Sequence, residues 1–131
     1  MAKLSATLTL KGLDEYLENV RKAGVDIDAA VDRALIAGAE IMQEEMKGLV
    51  PVDTGNLRNH IIINGPIQNG NYHYVEIGVI NADETTARYA KVVEYGRPKI
   101  QARSFIRTGR DRSRKKVYNA MRESLKQDGM I

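Results

Sequence analysis

The sequence predicts an α+β fold: a long amphipathic central helix packed on a small, mostly antiparallel β-sheet, with a basic C-terminal helix. Three observations carry that expectation. From Ile27 to Leu49 apolar residues recur at three- and four-residue steps, the signature of one helix face. Residues 4–10 and 72–80 alternate apolar and polar side chains, the signature of half-buried strands. The cations gather in the last third of the chain, on a segment with helical spacing but few apolar positions.

In chain order, Leu4, Ala6, Leu8 and Leu10 form the apolar side of a first strand, which Lys11-Gly12 ends. A short helix is expected over about 13–23, with Leu13, Tyr16, Leu17 and Val20 on one face and Gly24 at its left-handed end. Asp26 or Asp28 can cap the long helix, whose core face holds Ile27, Val31, Leu35, Ile41, Met42, Met46 and Leu49. Ala30, Ala34, Gly38 and Ala39 keep part of its surface thin, so that another element can approach closely. Pro51 ends it, because the residue before proline is biased away from helical backbone.

After Pro51 the period changes. Asp53-Thr54-Gly55-Asn56 is turn chemistry, since Asp bonds backbone two residues on and Gly supplies positive φ. Ile61-Ile62-Ile63 reads as a buried strand and Tyr72 to Ile80 as a second, with Val75, Ile77 and Val79 on one face. Asn69-Gly70 between them signals a hairpin, and Gly65-Pro66 within the first arm signals a bulge or an edge. Residues 81–88 read as a polar loop. Tyr89 to Tyr95 fits either a helical turn or a strand. Gly96 to Ser104 is a basic loop, and the last helix is expected over about 108–126, with Val117, Ala120, Met121 and Leu125 as its apolar positions.

The 131 residues suit one domain, 1–131, with no internal repeat. With 43% hydrophobic and 28% charged residues the chain is globular in composition. The absence of cysteine excludes disulfides, thiolate catalysis and thiolate-bound zinc. No apolar run approaches the roughly 20 residues of a membrane helix, and Met1-Ala2-Lys3-Leu4 does not begin a signal peptide. A soluble protein made and used in a cytoplasm is therefore expected. The net charge of +3 conceals an asymmetry: residues 1–96 hold 9 basic and 14 acidic residues, a net of −5, and residues 97–131 hold 11 and 3, a net of +8. Opposite fields at the two ends suit head-to-tail stacking of copies, or a basic end offered to an acidic partner.

The catalytic candidates weigh less than their structural readings. Asp53-Thr54-Gly55 has the form of an aspartic-protease turn, but that chemistry needs two carboxylates in one site and a flap, and neither is evident. Glu45 and Lys47 match a nuclease Glu-x-Lys, but on a helix residues two apart do not face each other. His60 and His73 can meet across the hairpin, yet two histidines without a matched carboxylate make a poor metal site, and surface strand positions are the better reading. Glu94 lacks a catalytic partner and is expected to pair with Arg58 or Arg97. Arg103, Arg107, Arg110, Arg112, Arg114, Lys115 and Lys116 are candidates for contact with a neighbouring subunit or with DNA phosphates. No cofactor or metal is expected.

Three segments together resemble a family, the tail-completion or head–tail joining proteins of the neck of long-tailed phages. Pro51-Val52-Asp53-Thr54-Gly55-Asn56-Leu57-Arg58, after a long amphipathic helix, is similar to the family's Pro-x-Asp-Thr-Gly-x-Leu-Arg. Tyr89-Ala90-Lys91-Val92-Val93-Glu94-Tyr95-Gly96 is similar to its Tyr-Ala-x-x-Val-Glu-Tyr/Phe-Gly. Ala102-Arg103-Ser104-Phe105-Ile106-Arg107 is similar to its Ala-x-Pro-Phe-Leu-Arg, with Ser104 standing where the family carries Pro. The resemblance covers about residues 10–125. It implies a non-enzymatic virion protein, present in the host cytoplasm during assembly and then at the virion neck. It implies a homo-oligomeric ring, hexameric by the same resemblance, that contacts the head connector, tail-tube or tail-terminator proteins and the DNA of the channel, with no membrane involved. The alternative reading is a free-standing, sequence-nonspecific nucleic-acid-binding protein that uses the basic C-terminal segment.

Overall fold

The computed structural model describes residues 3–9, 27–51, 55–70 and 72–129. The helix expected over 13–23, its Gly24 end, Asp26, and Asp53 and Thr54 of the expected turn lie outside the described residues. The elements run β1 (Leu4–Thr9), α1 (Ile27–Leu49), α2 (Asn56–Asn59), β2 (Ile61–Asn69), β3 (Tyr72–Val79), α3 (Glu84–Tyr95) and α4 (Phe105–Gln127). The fold is α+β: a three-stranded sheet, order β1-β3-β2 and antiparallel throughout, with α1 across one face and α4 beside α1.

The register explains why that face is apolar. Leu4, Ala6 and Leu8 stand opposite Val79, Ile77 and Val75, while Ile61 and Ile63 stand opposite Val79 and Ile77 from the other side. Side chains alternate faces along each strand, so these residues share the side that α1 covers. Val75, Ile77, Leu35 and Met46 are fully buried there. Complete burial of each such side chain stabilises by about 1.5–3 kcal/mol. That outweighs the roughly 1 kcal/mol that Gly38 costs relative to Ala in a helix. A Cβ at Gly38 would stand 3.0 Å from Leu8, Val117 and Met121, so the thin stripe expected on α1 is where α4 and β1 come close.

β2 shifts register between Asn64 and Ile67, at Gly65-Pro66, and lies at the sheet edge. Both readings of that dipeptide hold together. Asn69 still belongs to β2, where it pairs with Tyr72, and Gly70, at φ 64°, is the first residue past the strand.

Two helices differ from expectation. The polar stretch 81–88 is not all loop: α3 begins at Glu84, and the segment Tyr89 to Tyr95 resolves as its continuation. The missed signal is Asp83, whose carboxylate accepts the backbone N–H of Thr86 at 3.0 Å and its hydroxyl at 2.7 Å, an N-cap three residues ahead. α4 begins at Phe105, three residues before the expected start, and buries Phe105, Gly109, Ser113, Val117, Met121 and Leu125 at every fourth position. That stripe is narrow, and of the other α4 residues Ile106 alone is buried.

Candidate functional site

The three motif segments converge on α3. At its first turn Asn56 of α2 donates Nδ2 to the Thr86 hydroxyl at 3.0 Å, and the same hydroxyl donates to Asp83. His60 accompanies them, its Nδ1 2.7 Å from the Asn56 carbonyl and its Nε2 3.9 Å from Asp83. The Thr86 hydroxyl and backbone N–H hold the Asp83 carboxyl below the usual carboxylate range. A depressed folded pKa contributes stability above the unfolded value and loses it as pH falls through the folded one. Asp83→Asn, which keeps one cap acceptor but removes the charge, is therefore expected to leave neutral-pH stability nearly unchanged and to make the acid limb below about pH 4 shallower. Urea unfolding across pH checks this; an unaltered acid limb would overturn it.

At the other end, α3 joins α4. Three carbonyls of the last turn of α3 are used: Val92 accepts from the Gly96 N–H at 2.7 Å, Val93 from the Arg103 N–H at 2.7 Å, and Glu94 from the Ser104 hydroxyl at 2.8 Å. Gly96 sits at φ 73°, and a Cβ there would stand 2.7 Å from the Ile100 carbonyl and 2.8 Å from the Ala102 nitrogen, so the position accepts only glycine without strain. The Glu94 side chain, 4% exposed, turns to α4 and accepts the backbone N–H of Ile106 at 2.7 Å and of Arg107 at 3.2 Å. These are the second and third amides of the helix, the donors that an N-cap side chain ordinarily satisfies. Ser104 occupies the N-cap position but spends its hydroxyl on Glu94, so Glu94 caps the helix from across the joint. This corrects the expected pairing with Arg58 or Arg97: among the described residues Glu94 forms no ion pair with either.

The other motif residues divide by role. Leu57, Ala90 and Phe105 are core, Gly55 takes φ 77° ahead of α2, Pro51 is half-buried just past α1, and Arg58 and Tyr89 are exposed. His73 is not a surface strand residue. It is 8% exposed and lies between two carboxylates of α1, with Nδ1 2.8 Å from Asp32 and Nε2 3.2 Å from Asp28. Nor do the two histidines meet. Ile61 pairs with Val79, which puts His60 at the far end of β3 from His73, roughly 20 Å along the strand. Among the described residues no group of three or more His, Asp or Glu could hold a metal ion. Glu45 and Lys47 flank the buried Met46 and do not converge.

All seven candidate cations are exposed, but they do not form one face. Arg107 and Arg110 line a cleft of about 400 Å³ with Leu4, Tyr95, Ala102 and Glu94. Arg112 and Lys116, one turn apart, stand on the opposite flank of α4, with Lys115 between the flanks. Arg110 and Arg114 share Asp111, at 3.0 and 3.5 Å. Among the described residues Arg103, Arg107, Arg112, Lys115 and Lys116 make no ion pair.

The polar groups at the joint thus fasten α2, α3 and α4 to one another. The chain matches the family model described as Bacteriophage HK97-gp10, putative tail-component, over residues 13–96, and it belongs to that family. The match spans all of α1 and two of the three motif segments. The family is one of phage tail components, not of enzymes. No curated protein and no solved structure matches the chain. Among the described residues no helix is long and apolar enough to cross a membrane.

Proposed function

We propose that the chain completes the joint between head and tail of a tailed phage or prophage, working as a ring of identical copies, six by resemblance, around the DNA channel. The family match carries this reading, because it encloses the long helix and both the 51–58 and 89–96 segments. In this reading the collar meets the head connector on one side and tail-tube or tail-terminator proteins on the other, is made in the host cytoplasm, and performs no catalysis. Among its motif residues Leu57, Ala90, Glu94, Gly96 and Phe105 act by shaping the α1–α3–α4 frame. Deleting the gene from its phage or prophage and examining induced lysates by electron microscopy tests it. Filled heads beside separate, finished tails are the expected products, and normal infectious particles would sink the reading.

A second reading, nonspecific nucleic-acid binding, draws on the unpaired cations of α4. It requires duplex affinity that falls linearly with log salt and is lost on charge reversal at Arg112, Arg114 and Lys116.

A further inference from the structure

We infer that copies of this chain meet through the basic outer flank of α4 on one copy and an acidic row on α1 of the next. The inference rests on the oligomeric reading above and names its contact. Glu40 and Glu44 are exposed on α1, one helical turn apart, on the side away from the sheet. Arg112 and Lys116 are exposed on α4, likewise one turn apart. Among the described residues none of the four has an ion-pair or side-chain hydrogen-bond partner. Like charges at i and i+4 repel, so each row carries a local cost within its helix. A second copy relieves both at once, because the two rows have opposite sign and the same spacing.

The surroundings fit a helix as the occupant. Gly48 continues the acidic row one turn on, with nothing within 4 Å of an added Cβ. Half-buried Ile36, Ala37 and Ile41 supply low apolar surface beside the carboxylates, which lets another backbone approach. Within one chain α1 and α4 run antiparallel, tied by Arg33 to Asp128 at 2.9 Å at one end and by Met46 against Gly109 at the other. Both charged rows therefore sit on the same rigid two-helix layer, which holds them in fixed relative positions in every copy.

A charge-swap experiment tests this in the phage or prophage that encodes the protein. Three variants replace the wild-type gene: Glu40→Lys with Glu44→Lys; Arg112→Glu with Lys116→Glu; and all four together. All positions are exposed, and circular dichroism and thermal unfolding of each purified variant confirm that it folds. Each paired reversal is expected to lower the yield of joined infectious particles, and self-association measured by sedimentation, by roughly tenfold or more. The fourfold variant, whose rows are again of opposite sign, is expected to recover most of that loss. A fourfold variant as defective as the basic-row reversal alone overturns the contact. So does loss of duplex DNA binding on the basic reversal with the acidic reversal silent, which assigns α4 to nucleic acid. Particle yields insensitive to both reversals overturn it too, and leave the tail role standing on the separate evidence of the gene deletion.

Discussion

Replacing Glu94 with Ala is expected to destabilise the protein by about 2–4 kcal/mol. The side chain accepts two backbone N–H groups of α4, from Ile106 at 2.7 Å and Arg107 at 3.2 Å, and Ile106 is buried. An unsatisfied buried donor costs about 1–3 kcal/mol, and a bond to a charged acceptor is worth more than a neutral one. The carboxylate also faces the positive end of a 23-residue helix. Ser104 cannot take over, because turning its hydroxyl toward α4 would orphan the Glu94 carbonyl. Thermal unfolding should show a midpoint lowered by roughly 10 °C, and amide exchange should accelerate first at Ile106 and Arg107. Glu94→Gln keeps one acceptor oxygen and is expected to lose about half as much. Arg58→Ala and Arg97→Ala are expected to stay within about 0.5 kcal/mol of wild type, as exposed positions do. An alanine variant as stable as wild type would mean that Glu94 does not carry the joint.

The sequence made the parts with strong local period legible, and the parts fixed by tertiary contact illegible. α1 was readable because some 23 residues repeat one apolar face and Pro51 marks its end. The hairpin was readable because Val75, Ile77 and Val79 alternate beside glycine-bearing turns. α3 was obscured because its first three residues, Glu84, Thr85 and Thr86, are all polar, although Asp83 and Thr86 stand at capping distance. The early start of α4 was obscured because Arg107, Gly109, Arg110 and Arg112 dilute the apolar period there. The role of Glu94 lay beyond any local pattern, since its partners are 12 and 13 residues away across a loop that ends in Ser104. His73 was misplaced for the same reason: Asp28 and Asp32, which make its burial tolerable, belong to a helix 41 or more residues earlier. The basic segment was legible as charge, but its division between two flanks of α4 follows only from which stripe of the helix is buried.

Gly109→Leu is expected to be the most damaging single substitution on α4. In a solvated helix, replacing Gly by Ala gains about 1 kcal/mol of propensity. Here the sign reverses. A Cβ at 109 would stand 2.6 Å from Met46 Cγ and 3.1 and 3.2 Å from the Met46 Cα and nitrogen. The Met46 side chain can turn aside, but its backbone belongs to α1 and cannot move without shifting the whole helix. Overpacking of this kind costs about 1–3 kcal/mol for a small group and more for a branched one. Gly109→Ala is therefore expected to lose about 1–2 kcal/mol and Gly109→Leu at least about 3, measured by urea unfolding with the transition slope compared alongside the midpoint. Met46→Ala alone removes a fully buried side chain and should cost about 2–5 kcal/mol. Combined with Gly109→Ala, it should cost less than the two losses added, since the methionine supplies the closest clash. Strict additivity would place the obstruction in the α1 backbone alone. A stabilising Gly109→Ala would show that the two helices do not approach as closely as this packing requires. Because Arg112 and Lys116 follow within two turns of Gly109, the Leu variant also moves the basic flank relative to Glu40 and Glu44. Its effect on particle assembly is then expected to exceed that of a core substitution of equal thermodynamic cost placed far from the α1–α4 crossing.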